Sequence, residues 1–268
     1  MKTLLISSEK GGVGRTTIAL NLAYALAKRG WRTSLVDLDP QGGVGRLLSP
    51  KVMQAPGLCQ YALEGHPLPT LMYATRLKSL QVLPFGPSTP QERASMSVAL
   101  GDGALLKQLL DELETSNDIV IFDAPSGFGP IVQGAYWNVD SVISPLRADP
   151  LTLRGIPQFL EQLAWIQEQR EPLDIAGFII NMWDIQDPTS AEVVQEIQQS
   201  FPEPTLFRTM LPLDRQVMKA AAKGVPLGLL SRNLVPTASL FDQLAMECES
   251  KLSLIEKEPE DENFALVD

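Results

Sequence analysis

Histidine is almost missing from this chain. His66 stands alone among 268 residues, which argues against chemistry built on paired imidazoles and leaves a loop position as its plain reading. Cysteine is nearly as scarce: Cys59 and Cys248 lie far apart without metal-ligand spacing, the usage of a reducing cytoplasm rather than of a disulfide scaffold. No stretch has the uninterrupted apolar length of a membrane span. A strand begins within a few residues of Met1, so no signal peptide is expected. Positive charge is also in deficit, with 22 Lys and Arg against 32 Asp and Glu and a formal net charge of −10. That balance argues against a protein basic over its whole surface. Six acids between Glu256 and Asp268, set against Lys257 alone, carry half of it, so a local basic patch is still compatible with the rest. Internal repeats and low-complexity segments are absent too.

What is present is alternation. Hydrophobic residues make up 44% of the chain, ample for a large core, and buried runs alternate with helical periodicity. Strands are expected at Leu4–Ile6, Thr33–Asp37, Leu80–Pro84, Asp118–Asp123, Val139–Leu146 and Ile175–Asn181, with an edge strand at Leu206–Leu211. Helices are expected at Ile18–Arg29, Leu58–Leu63, Ala104–Glu114, Phe159–Gln169, Ala191–Gln199, from Asp214 to about Ala222, and at Leu240–Leu254. The fold class this implies is α/β: a mostly parallel, doubly wound sheet with helices on both faces. One domain spans 1–255, followed by an acidic tail, 256–268, whose composition suits disorder.

The chemistry is concentrated after the first strand. Ser8-Glu9-Lys10-Gly11-Gly12-Val13-Gly14-Arg15-Thr16-Thr17 joins a buried strand to an Ala/Leu-rich helix. Glycines let successive backbone N–H groups face one concavity, and a helix N-terminus adds positive partial charge, so the stretch suits a phosphate. It follows the G-x-x-x-x-G-K-[ST] pattern with arginine in the lysine slot. Asp118-Ile119-Val120-Ile121-Phe122-Asp123 is an apolar strand ending in a carboxylate, the pattern of a residue that holds Mg²⁺ through water while a phosphate-loop hydroxyl, here Thr16, ligates it directly.

Lys10-Gly-Gly-Val-Gly-x-Thr-Thr resembles the deviant phosphate loop of the ParA/MinD family of P-loop ATPases. The resemblance runs from Met1 to about Leu254. It implies that Gly11, Gly12, Val13, Gly14, Arg15, Thr16 and Thr17 cradle ATP, with Mg²⁺ at Thr16 and Asp123. It further implies that Lys10 reaches across an ATP-sandwiched homodimer to the partner's nucleotide. Asp37-Leu38-Asp39-Pro40-Gln41 is similar to the family's first switch, in which the second aspartate, Asp39, sits by the attacking water; Asp37 more simply ends the strand. Ala124-Pro125-Ser126-Gly127-Phe128-Gly129 resembles the second switch with one proline missing. Asn181, at the end of a strand, matches the asparagine that reads the adenine edge, though an asparagine there can also simply cap the strand.

Arg15 departs from the family, which carries lysine there. Arginine keeps the charge but is planar and bulkier, so nucleotide binding is expected to survive with slow or absent hydrolysis. Arg215, Lys219 and Lys223 recur at four-residue spacing on one helical face. ParA relatives carry non-specific DNA contacts in this part of the chain, while an ordinary solvated face would look the same. The acidic tail is opposite in charge to the basic membrane helix of MinD-type relatives, which argues against direct membrane binding.

The functional expectation is an ATP-dependent dimeric switch that positions or partitions a cargo, DNA or a protein complex, under an activating partner. Leu80–Gly86 and Asp214–Gly228 are also similar to the accessory ATPase of bacterial cellulose secretion, another branch that departs at the Walker lysine. That likeness gives the alternative of a weakly hydrolysing scaffold in a secretion assembly. A metabolic P-loop enzyme is a third possibility, with no substrate constellation to support it.

Overall fold

The computed structural model describes residues 1–170, 173–231 and 235–254. Eight strands form one sheet: β1 (Lys2–Ile6), β2 (Thr33–Asp37), β3 (Tyr73–Ala74), β4 (Leu80–Leu83), β5 (Ile119–Asp123), β6 (Ser141–Arg147), β7 (Asp174–Trp183) and β8 (Leu211–Pro212). Their spatial order is β3-β4-β2-β5-β1-β6-β7-β8. Every pairing is parallel except β3 with β4. Parallel strands need crossovers, and the helices that supply them cover both faces, so the central strands read as unbroken apolar runs. β2 and β5 are buried at every position.

Two apolar layers result. On one face Phe122, Leu106, Leu109 and Tyr136 pack beneath the helices Ala104–Leu113 and Pro130–Tyr136. On the other, Ile121, Leu22, Leu26 and Phe241 pack beneath Arg15–Lys28 and Pro236–Lys251. The expected α/β architecture is the observed one. Its centre, β5-β1-β6, brings the carboxyl ends of β1 and β5 side by side, with Ile6 opposite Asp123 and Asp37 opposite Asp123 from the other neighbour. Parallel α/β sheets bind ligands at such an end.

Several boundaries differ from the sequence reading. The expected edge strand Leu206–Leu211 shrinks to Leu211–Pro212, with Leu206 joined to Phe178 by an isolated bridge. The Glu247 carboxylate takes up the Arg208 and Thr209 N–H groups at 2.7 and 2.8 Å, so they make no ladder. The helix expected from Phe159 begins at Pro150, capped by Asp149 at the Thr152 N–H, and tolerates Pro157 inside it. The last helix is Pro236–Lys251 rather than Leu240–Leu254. The loop after β4 holds an unforeseen helix, Pro90–Gly101, with a Thr89/Glu92 capping box. Short helices Gly43–Leu48, Pro50–Gln54 and Leu68–Leu71, together with β3, also escaped periodicity. Cys59 and Cys248 are buried free thiols, and His66 is in the loop after Leu58–Glu64, beside Glu64. The acidic tail lies outside the described residues.

Candidate nucleotide-binding site

Gly12 and Gly14 set the shape of the loop after β1. Their φ angles of 75° and 91° lie in the left-handed region that favours glycine. Gly14 is also the N-cap of Arg15–Lys28, its carbonyl accepting the Ile18 N–H at 2.9 Å. A Cβ there would collide with Asn181 Nδ2, whereas none of the neighbouring atoms comes within 4 Å of one at Gly12. The loop is thus closed on the Asn181 side and open over Gly12. Gly11 is exposed, Val13 buried, and Thr16 and Thr17 half-buried in the first helical turn, where the Thr17 carbonyl accepts from Asn21 at 2.8 Å.

Arg15 is folded into this loop. Nη1 donates to the Lys10 carbonyl at 2.7 Å and the Ser8 hydroxyl at 2.5 Å, and Nε to the Ala124 carbonyl at 3.0 Å. Burial lowers the guanidinium from its usual range, while the charges of Asp123 and Asp39 pull it back up. The arginine therefore ties its own loop to Ala124, in the segment that follows β5.

Three aspartates converge opposite. Asp37 ends β2 and pins the first switch: its carboxylate accepts the Asp39 and Val44 N–H groups, both at 3.0 Å. Burial and the facing Asp123 nevertheless hold its carboxyl well above the ordinary range. Asp39 is half-buried and accepts the Gln41 N–H at 2.8 Å. The first switch passes close to the loop, since a Cβ on Gly43 would lie 2.9 Å from Thr16 Oγ1. Asp123 is fully buried, and neither carboxylate oxygen has a hydrogen-bond partner among the described residues. Burial pushes it up to about 7, opposed by the nearby Thr16 hydroxyl and Arg15 charge. An orphaned buried carboxylate demands an explanation. Beside a threonine hydroxyl and a phosphate loop it suits a divalent cation. Among the described residues no group of three His, Cys, Asp or Glu side chains would hold a metal unaided, so the ligand set Thr16 and Asp123 fits an ion that shares phosphate oxygens and water.

The remaining expected residues fall into three places. Lys10 Nζ is turned inward, buried without a hydrogen-bond partner among the described residues, its stem beside Gly155 on the helix Pro150–Gln169. Asn181 is buried against the loop, donating from Nδ2 to the Val13 carbonyl at 2.7 Å. Arg215, Lys219 and Lys223 are exposed on the helix Arg215–Lys223, capped by Asp214 at the Gln216 N–H. That helix packs against Gly43–Leu48, which continues from the first switch. Sequence reasoning missed Ser8, which holds Arg15, and Met182, whose φ of 54° sets it over Gly14. A serine in a loop gives no signal of such a role. It missed as well the aromatic seat of the segment after β5: Phe128 packs edge-on against Trp165 at 6.1 Å and tilted against Tyr136 at 5.9 Å, and the Tyr136 hydroxyl donates to Ser7 at 3.1 Å.

A glycine loop between β1 and a helix, with a carboxylate at the tip of the adjacent parallel strand, defines the P-loop nucleoside-triphosphatase fold. The sequence matches the AAA domain family over residues 1–175. It is 30% identical to the chromosome partitioning protein ParA of Myxococcus xanthus, over 94% of this chain and 86% of that one. In three dimensions it is similar to a variant of Cyanothece McdA in complex with ATP, with a TM-score of 0.76 at 20% identity over 96% and 98% of the two chains. It is similar also to cobyrinic acid a,c-diamide synthase of Mycobacterium smegmatis with bound ATP analog and magnesium, with a TM-score of 0.75 at 22% identity over 97% and 99%. The chain belongs to the ParA/MinD family of P-loop ATPases.

Proposed function

We propose that the protein is an ATP-binding, dimer-forming switch of the positioning type, which carries DNA or a protein complex and hydrolyses ATP slowly. One observation carries this reading: Asp123 is buried and orphaned beside Thr16, at the mouth of a glycine loop with open space over Gly12. Gly11 to Thr17 would hold the phosphates, Thr16 and Asp123 the Mg²⁺, and Asn181 would stand by the base. Bound Mg²⁺ would offset phosphate charge. Asp39 would orient the attacking water from the first switch, and Lys10 would swing out of its buried slot to meet a partner's nucleotide. The exposed face of Arg215, Lys219 and Lys223, with no ion-pair partner among the described residues, would bind DNA through phosphate charge. No helix among the described residues is long and apolar enough to cross a membrane. Family membership supports the positioning role.

A second reading, a scaffold subunit with little turnover in a secretion assembly such as bacterial cellulose export, is favoured by Arg15, whose Nε and Nη1 are held by Ala124, Lys10 and Ser8. The test is ATP turnover with Mg²⁺, with and without DNA, while mass is followed in solution. DNA-stimulated turnover with an ATP-dependent dimer supports the switch. A stable dimer holding unhydrolysed ATP and indifferent to DNA supports the scaffold, and absence of ATP binding overturns both.

A further inference from the structure

Ser8 stands at the crossing of two chain segments that a nucleotide switch would need to move apart. It is 4% exposed. Its hydroxyl accepts from Arg15 Nη1 at 2.5 Å and donates to the Lys10 carbonyl at 2.9 Å. Its carbonyl accepts the Gly127 N–H of the second switch at 3.1 Å and lies 3.5 Å from Arg15 Nη1. Arg15 Nε meanwhile holds the Ala124 carbonyl at 3.0 Å, three residues before Gly127. One guanidinium thus binds the phosphate loop through one nitrogen and the second switch through another. A lysine concentrates its donors on a single nitrogen and cannot span both points, whereas the arginine fork spreads them along a rigid plane. Nη2 has no protein acceptor among the described residues.

We propose that Arg15 and Ser8 together staple the second switch to the phosphate loop, with Ser8 as the positioning residue that orients the fork and Nη2 as the donor left for a phosphate. The staple holds Ala124–Gly127 against the loop with or without nucleotide. In this chain the arginine therefore does more than replace a lysine's charge. It fixes the segment that would otherwise follow the γ-phosphate, which gives slow turnover a structural cause. The role of Nη2 rests on the ATP-switch reading; the staple itself needs no nucleotide.

The test is hydrogen exchange at the Gly127 amide in the nucleotide-free full chain, with the Ile18 amide of the first helical turn as an internal control. Ser8→Ala and Arg15→Lys should each speed Gly127 exchange about tenfold, the range of a lost charge-assisted bond, and leave Ile18 unchanged. The double variant should exchange no faster than the quicker single one, because both break the same link. Ser8→Thr keeps the hydroxyl and should stay at the wild-type rate. Unchanged Gly127 exchange in either single variant, multiplying effects in the double, or acceleration in Ser8→Thr would overturn the staple. Adding a non-hydrolysable ATP analogue should leave Gly127 exchange unmoved in the wild type and slow it in Arg15→Lys. If the analogue binds no variant, the ATP reading falls, while the nucleotide-free exchange rates still decide the staple.

Discussion

Two buried carboxylates show how differently this fold treats its two ends. Glu249, on the helix Pro236–Lys251, receives Arg29 Nε at 2.6 Å, Arg29 Nη2 at 2.8 Å and Trp31 Nε1 at 2.7 Å. It joins the end of the first helix to the last one, and the fork-to-carboxylate geometry offsets the loss of water. Asp123, at the carboxyl end of β5, is more deeply buried and has no hydrogen-bond partner for either oxygen among the described residues. Burial without donors opposes folding; burial with three donors supports it. A carboxylate buried at the carboxyl end of a well-packed sheet, eased only by the nearby Thr16 hydroxyl and Arg15 charge, holds a place where the fold gives up stability, as functional sites commonly do.

The contrast can be broken from either side. Glu249→Ala removes the acceptor that Arg29 and Trp31 share and should cost about 3 kcal/mol in chemical denaturation, the largest stability loss expected here. Asp123→Asn should do the reverse in nucleotide-free protein. The native carboxyl, held at about 7 against an ordinary 3.8, binds its proton more tightly than the unfolded chain does. The stability it contributes is therefore present below pH ~4 and is lost as pH rises through ~7. Asparagine escapes that loss, so the variant should gain on the order of 2 kcal/mol at pH 8 and nothing near pH 4. It should also lose Mg²⁺-dependent ATP binding, which equilibrium titration would show.

Asp39 sharpens the comparison because it is only half-buried and accepts a single local N–H, that of Gln41. Asp39→Ala should leave stability within about 0.5 kcal/mol of wild type and trap an ATP-bound dimer; an unchanged monomer–dimer balance in ATP, seen by light scattering, would count against the switch. Arg15→Lys should keep ATP binding and raise turnover a few-fold, and abolished binding would refute the place given to this residue. The smallest effect belongs to the exposed face. Lys219→Ala with Lys223→Ala should lower DNA affinity uniformly across sequences and reduce its salt slope by about two, with no change in thermal midpoint.

Much of this was legible in the residues. The strand–loop–helix at Leu4 to Arg29, the carboxylate at Asp123 and the alternation to Asn181 follow from patterns tied to backbone geometry, and the sheet order then brings them together. The elements missed are short or bounded by proline. Pro90–Gly101 buries only Met96 and Leu100 and is specified mainly by its Thr89/Glu92 cap. Leu206–Leu211 has strand-like composition, but Glu247, far away in sequence, takes its N–H groups. In the site, the types of Arg15 and Asn181 could be read, but not their directions. Arg15 turns toward Ala124 and Asn181 toward Val13 because of acceptors distant along the chain, and no local spacing encodes those.

The aromatic seat of the second switch has a use of its own. Phe128 lies edge-on to Trp165, a half-exposed indole that also faces Trp137 at 6.0 Å. Any movement of the second switch changes the solvent and ring neighbours of that indole, so the protein carries a built-in optical gauge. Trp165 emission, read with Trp165→Phe as the blank, follows the switch in real time without an attached dye.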